Sequence, residues 1–352
     1  MKRQMPKLVT GGAGYIGSWL VKKLLSKGYD VRATVRNPHN QGKYGHLERL
    51  GRQSRGKLEI IKADLLKGGD FDQAAEGCDV IFHTASPFQV AKIKDPHRQL
   101  IRPALEGTTN VLEAANRSST VTRVILTSSI VAVYGDASEL AKGTSFDESS
   151  WNETSCISHR PYSYSKTVAE KKAWSMAQGS KSWDLVTINP GMVIGPPLSS
   201  RKDSTSVELL RKFATGQFKA GVPNLDAGFV DVRDVAKAHI LAASTPNAQG
   251  RYIVVGANGN LDDIGAILRT HCGHIHQLPK GHLPRVLAFL VGPFMGMSWK
   301  VNRLNWGRPL RFDHSKSIQE LGMDYRSLEE SVIDSMNALN GDQMMIAEKL
   351  LV

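Results

Sequence analysis

Residues 9–17 read Val-Thr-Gly-Gly-Ala-Gly-Tyr-Ile-Gly. They stand between a short apolar run, Lys7 to Thr10, and an amphipathic stretch that carries Ile16, Leu20 and Leu24 and closes at Gly28. A strand that turns this abruptly into a helix needs glycine for the tight turn, for close backbone approach to a bound group and for packing helix on strand. Gly11, Gly14 and Gly17 have the spacing that meets all three needs. The helix that follows presents its positive end to the turn, so the feature is shaped for the pyrophosphate of a dinucleotide. Gly11, Gly14, Tyr15, Ile16 and Gly17 are the expected cradle.

The alternation of strand and helix continues. Val31 to Val35, Leu58 to Lys62, Val80 to His83, Val124 to Thr127 and Leu185 to Asn189 read as strands, separated by segments of helical period such as Leu100 to Ala115. Continuous apolar strands between helices predict an α/β fold, a Rossmann-type doubly wound parallel sheet. After Pro190 the rhythm changes. A Pro- and Ser-rich loop, Gly195 to Ser206, leads to helices near Val207 to Gly216 and Asp231 to Ala243, then a strand at Arg251 to Val255. From Leu261 onward the pattern is mainly helical, ending in a helix from about Leu328 to Leu339. The expected division is a dinucleotide-binding domain, residues 1–190 plus 228–256, and a smaller, mainly helical substrate domain, residues 191–227 plus 257–352.

With 352 residues, 41% hydrophobic and 22% charged, the chain is long and apolar enough for two lobes and excludes a disordered class. The net charge of +12 is spread without a basic block, which favours a solvated surface over a nucleic-acid footprint. Cys78, Cys156 and Cys272 are odd in number and far apart, which excludes a disulfide framework and suggests a reducing, cytoplasmic setting. Residues Met1 to Leu8 lack the apolar core of a signal peptide. Val286 to Met297, interrupted by Gly292, Pro293 and Gly296, falls well short of the ~20 residues that span a bilayer. His271, Cys272, His274 and His276 cross a helix end into an extended run that sends alternate side chains to opposite faces, so no metal site is expected.

At the end of the second strand, where an NAD-binding chain carries Asp or Glu for the ribose, this sequence has Arg36. A guanidinium pairs with a 2′-phosphate that a carboxylate would repel, so NADPH/NADP+ is the implied cofactor, with Lys43 as a second cation. Arg32 alternates with the strand core and reads as solvated. Asp64 and Leu65, after the third strand, are candidates for the adenine, with a turn or cap as the alternative for Asp64. Thr84, Ala85 and Ser86, after the fourth, share the carboxyl edge where such sheets bind ligands.

Tyr162 and Lys166 lie four apart and so share a helix face. A phenol with a pKa near ~10 transfers a proton at neutral pH only beside a cation, and Lys166 supplies one. Ser129, at the end of Thr127-Ser-Ser129, is the expected hydrogen-bond partner of a substrate oxygen, with capping as its alternative and Ser128 as its competitor. Tyr164 has Val168 four residues on and no matching lysine. Asn110, within a helix pattern, reads equally as support for a kink or relay and as a buried polar contact. Phe88, Tyr134, Met192 and Phe229 are candidates for an apolar substrate pocket.

These segments, together with Phe82-His-Thr-Ala-Ser-Pro87, Asn189 to Pro196, Val230 to Ala236 and Arg311 to Lys316, resemble the extended short-chain dehydrogenase/reductases. The chain is most similar to the group of dihydroflavonol reductases, cinnamoyl-CoA reductases and fungal-type aldehyde or ketone reductases. The resemblance implies a catalytic Ser129, Tyr162 and Lys166, with Lys166 also holding the nicotinamide ribose and Pro190 to Val193 beside the nicotinamide. Tyr134 and Arg160-Pro-Tyr-Ser-Tyr164 depart from the two plant patterns, which leaves a generic carbonyl reductase acting on a small molecule. A hydroxysteroid dehydrogenase or nucleotide-sugar epimerase, and a non-catalytic NADPH-binding redox sensor, are the alternatives. Monomer and homodimer are both compatible with the sequence.

Overall fold

A computed structural model describes residues 5–86, 93–199, 205–271, 277–292 and 298–350. Phe88, Cys272, His274 and His276 lie outside them. The first half runs β1 (Lys7–Thr10), α1 (Tyr15–Ser26), β2 (Val31–Val35), α2 (Gln41–Arg52), β3 (Leu58–Lys62), α3 (Asp72–Ala75), β4 (Val80–His83), α4 (Arg102–Arg117), β5 (Arg123–Thr127), α5 (Pro161–Gln178) and β6 (Asp184–Pro190). The second half contains β7 (Met192–Ile194), α6 (Thr205–Ala214), β8 (Asp226–Asp231), α7 (Val232–Ser244), β9 (Gly250–Val254), β10 (Ala257–Asn260) and α8 (Leu261–His271). It ends with α9 (Arg285–Val291), α10 (Trp299–Asn305), α11 (Ser315–Leu321) and α12 (Leu328–Leu350).

Seven parallel strands form the main sheet in the order β3-β2-β1-β4-β5-β6-β9. The order reverses between β1 and β4, and that reversal opens the crevice in which sheets of this type hold a dinucleotide. Sequence periodicity explains the layers. In α1 the side chains of Leu20, Val21, Leu24 and Leu25 are no more than 1% exposed. Each is worth roughly 1.5–3 kcal/mol of burial. Helix α1 stops because Gly28 takes a left-handed backbone, with φ of 88°, and returns its N–H to Leu25.

A second sheet, β10-β8-β7, was not legible in the sequence. Its strands read Met-Val-Ile, Asp-Ala-Gly-Phe-Val-Asp and Ala-Asn-Gly-Asn, too short or too polar to announce themselves. Side chains hold it instead: Asn258 donates to the Phe312 carbonyl at 3.0 Å and accepts the Phe312 N–H at 2.9 Å. The segment expected to rejoin the nucleotide-binding part at 228 therefore begins in this small sheet, and the return to the main sheet is made by β9.

Candidate active site

The glycine turn follows β1 directly, and its geometry explains each glycine. Gly11 has φ of 65°, and a Cβ there would sit 2.8 Å from the Ala85 backbone, so the loops after β1 and β4 touch. A Cβ at Gly17 would lie 2.4 Å from the Gly11 carbonyl oxygen, so the helix axis can approach the strand only here. Gly14 caps α1 in extended conformation, and no acidic side chain occupies the first turn. The N–H groups of Tyr15 and Ile16 begin the helix without intrahelical acceptors, the arrangement that suits a helix N-terminus to an anion. Tyr15 has a further bond: its hydroxyl donates to the Gly195 carbonyl, fixing the exit of β7 to α1.

Around this turn the carboxyl edge is built from hydrogen bonds between loops. Thr84 Oγ1 donates to the Thr10 carbonyl at 2.7 Å, and the Ala85 N–H to Thr10 Oγ1 at 3.2 Å. Ser86 follows, partly buried. Arg36 ends β2 and Lys43 lies in the first turn of α2; both are exposed and have no ion pair with a described residue. The orphan helix N–H groups, the crowded glycines and the unpaired Arg36 fit a dinucleotide bearing a 2′-phosphate. Asp64 is a turn residue: Oδ1 accepts the Leu66 N–H at 3.0 Å. Asn110 is resolved as a polar contact, its Nδ2 donating to the Leu65 carbonyl at 2.7 Å and so holding the post-β3 loop against α4. Arg32 is not merely solvated. It pairs with Glu59 at 2.9 Å and donates to the carbonyls of Ala74 and Glu76, closing the end of α3.

The candidate reacting groups come from two neighbouring elements. Ser129 leaves β5 and caps a 3-10 turn, Ile130–Ala132, by accepting the Val131 N–H at 3.3 Å. That bond uses a lone pair and leaves the O–H to donate. Helix α5 packs on this turn. Its start is set by Arg160, left-handed at φ of 55°, followed by Pro161 at the first helical position. Tyr162 and Lys166 then share one face, with Lys166 8% exposed. Burial pushes the Tyr162 phenol well up, which keeps it protonated as a proton donor must be. Burial pulls Lys166 down to about 8, against the opposing attraction of Glu170. His83, at the end of β4, is held down to about 3 by burial and by the Lys166 charge, so it is neutral. Ser128 does not compete with Ser129, because its hydroxyl is turned into the protein and donates to Glu170.

The model of the NAD dependent epimerase/dehydratase family matches residues 7–256, which includes the cradle, Ser129, Tyr162 and Lys166. The chain belongs to that family. Within it, the chain is 37% identical over 333 residues to cinnamoyl-CoA reductase CAD2 of Medicago truncatula, covering 94% of each. It is 35% identical to tetraketide alpha-pyrone reductase 1 of Arabidopsis thaliana, again over 94% of both chains. Among solved structures, yeast methylglyoxal/isovaleraldehyde reductase Gre2 complexed with NADPH superposes with a TM-score of 0.81 and 30% identity, covering 96% of this chain and 99% of the other. Family and relatives together make this chain an NAD(P)-dependent oxidoreductase.

The residues expected to line a pocket in this family member divide. Met192 is half-buried on β7, and Val193 beside it packs on the main core. Pro190 closes β6 and is buried. Phe229, 1% exposed, is a core residue of the small sheet, locked among Ile194, Phe213 and Leu261. Tyr134 is likewise packing: its ring meets Phe312 at 5.3 Å, and its hydroxyl accepts from Arg160 at 3.3 Å. Tyr134 and Phe229 are therefore packed as braces, because a large apolar ring serves either role and sequence does not say which way it points.

Sequence reasoning missed Glu170, Asn189 as a side chain, and Arg251. Asn189 Nδ2 donates to the Ser129 carbonyl at 3.1 Å and to Glu170 at 2.9 Å. Arg251 Nε donates to Glu170 at 2.7 Å. The available signals were the spacing of four from Lys166 to Glu170 and a charged residue inside the apolar β9. Of the histidine and cysteine cluster only His271 lies among the described residues, where it pairs with Glu329. No described helix is long and apolar enough to cross a membrane.

Proposed function

We propose that the chain is an NADPH-dependent reductase that converts an aldehyde or ketone to an alcohol. The observation that carries this reading is the packing of α5, with Tyr162 and Lys166 on one face, against the Ser129 turn beside the glycine cradle. When bound, NADPH supplies a hydride to the carbonyl carbon. The chain supplies the rest. Ser129 O–H donates to the carbonyl oxygen and fixes its direction, while its own acceptor site is occupied by Val131 N–H. Tyr162 gives its phenolic proton to that oxygen as charge develops on it. The Lys166 ammonium, one turn along, stabilises the phenolate left behind and is the group expected to hold the nicotinamide ribose.

Arg36, with Lys43 as a second cation, would receive the 2′-phosphate, and Gly11, Gly14, Gly17 and the Tyr15 and Ile16 N–H groups would hold the pyrophosphate. Asp64 and Leu65 would flank the adenine, Thr84 to Ser86 would line the carboxyl edge beside the glycine turn, and Pro190 to Val193 would border the nicotinamide. The nucleotide is held by residues 1–190 with 228–256, and the carbonyl substrate by 191–227 with 257–352. Support comes also from the relatives, whose names are those of reductases, one of them solved with NADPH. The test is a panel of aromatic aldehydes, diketones, flavonoid ketones and sterols with NADPH and NADH. Carbonyl-dependent NADPH oxidation should appear and should be lost in Tyr162→Phe with NADPH binding retained. Full turnover in that variant would refute the mechanism, and tight NADPH binding without turnover of any carbonyl would favour a binding role.

A further inference from the structure

Glu170 is 1% exposed, yet nothing in a reductase mechanism of this kind uses it. Four donors converge on its carboxylate. Ser128 Oγ and Asn189 Nδ2 reach Oε2, the latter at 2.9 Å; Arg251 Nε at 2.7 Å and Trp174 Nε1 at 3.4 Å reach Oε1. Asn189 and Arg251 lie on two strands of the main sheet, and Ser128 on the loop that leaves a third. Ser128 adjoins Ser129 at the end of β5; Asn189 at the end of β6 also holds the Ser129 carbonyl; Arg251 lies on β9. The acid itself sits on α5, eight residues after Tyr162 and four after Lys166, so all three share one face of the helix.

Burying an ionised carboxylate is costly unless it is fully bonded and paired. Arg251 answers that cost, and it is itself braced: Nη1 donates to the Glu148 carbonyl at 3.0 Å and to that of Ser150, and the guanidinium lies 3.9 Å from the Trp151 ring centre. A purely structural ion pair would need only Arg251. Here the carboxylate also bonds two residues that carry the Ser129 turn, and it lies one turn from the ammonium of the reacting pair.

We propose that Glu170 is a positioning residue of the reaction centre, whose carboxylate fixes the Ser129 turn on the Tyr162 and Lys166 face of α5 and supplies the countercharge to Lys166. The inference rests on the reductase reading above. The charged and titratable groups around Lys166 are Tyr162 and Glu170 on its own helix and His83 from β4, with Arg251 of β9 behind Glu170. His83 is neutral, so Glu170 is the anion that favours the ammonium. Without it, Lys166 is left with the burial that disfavours its charge, and it loses its proton at lower pH.

Two variants test this, Glu170→Gln and Glu170→Asp, beside Tyr162→Phe as the control for the reading itself. The activity readout is the pH profile of kcat for the carbonyl in the panel that turns over best. A second readout needs neither cofactor nor substrate: competitive labelling of the ligand-free protein with acetic anhydride, followed at Lys166 by mass spectrometry. In the wild type both should titrate at about 8. In Glu170→Gln both midpoints should move about one unit or more toward acid, with kcat reduced at least about tenfold. Glu170→Asp keeps the charge and shortens the reach, so it should hold the midpoint and lower kcat while leaving NADPH affinity in place. Unshifted midpoints in both variants, with only a lowered melting temperature, would make Glu170 a structural ion pair and overturn the proposal. If Glu170→Gln does not fold, Glu170→Asp decides: wild-type kcat in it overturns the positioning role. An active Tyr162→Phe refutes the reductase mechanism itself, whatever Glu170 does.

Discussion

Replacing Gly17 by alanine puts a methyl carbon 2.4 Å from the Gly11 carbonyl oxygen and 3.0 Å from Thr84 Oγ1. A relaxed carbon-to-oxygen contact lies near ~3.3 Å, so turn and helix must part by about an ångström. The Gly11 carbonyl cannot retreat. It accepts the Gly14 N–H at 2.9 Å, and Gly11 itself lies against Ala85. The movement therefore falls on the first turn of α1, at an overpacking cost of about 1–3 kcal/mol. That turn carries the N–H groups aimed at the phosphates, and each charge-assisted bond lost there is worth roughly 1.5–3 kcal/mol. The NADPH dissociation constant should rise about 10- to 100-fold. Quenching of tryptophan fluorescence measures it, with a thermal melt run in parallel. Gly28→Ala is the control: φ there is 88° and nothing lies within 4 Å, so it should cost about 1 kcal/mol of stability and leave binding intact. If Gly17→Ala binds NADPH within about twofold of the wild type, the steric argument for the cradle is wrong.

Further consequences can be checked independently. Arg36→Asp should weaken NADPH binding by about tenfold or more and narrow the preference over NADH, read as the ratio of kcat/KM values; an unchanged ratio would remove Arg36 from the 2′-phosphate. Ser129→Ala should lower kcat far more than stability, which loses only the cap of its 3-10 turn at about 1 kcal/mol, whereas Ser128→Ala should chiefly lower the melting temperature, because it leaves Glu170 one donor short. Carbonyl reduction should fall as pH rises through about 8, where Lys166 gives up its charge; a flat rate to pH 10 would contradict the role given to Lys166. His239, 0% exposed, is held by burial down to about 4. Its folded pKa is depressed, so the unfolded chain binds the extra proton first. Stability should drop as pH falls from about 6.5 to about 4, by roughly 3 kcal/mol from this residue. His239→Gln, which can still bond Thr127, should flatten that slope in denaturant titrations.

The six strands of the first half were legible almost to the residue: five are almost wholly buried within a parallel sheet, a pattern that a continuous apolar run satisfies, and the partly exposed edge strand β3 still carries Leu58, Ile60 and Ile61. The glycine turn, Arg36 and the Tyr162 and Lys166 pair were legible for a related reason. Their placement depends on spacing within one element, or between a strand and the helix after it, and spacing is what a sequence records. The small sheet and the packing of Tyr134 and Phe229 were decided elsewhere, by partners such as Asn258 on Phe312 and Arg160 on Tyr134 that lie far off in the chain. Glu170 belongs to the same class. Its place four residues after Lys166 is written in the sequence, but Ser128 reaches it from the loop after β5, and Asn189 and Arg251 from β6 and β9. Local order in the chain determined which groups stand on one face of α5, and only the closing of the sheet determined what meets them there.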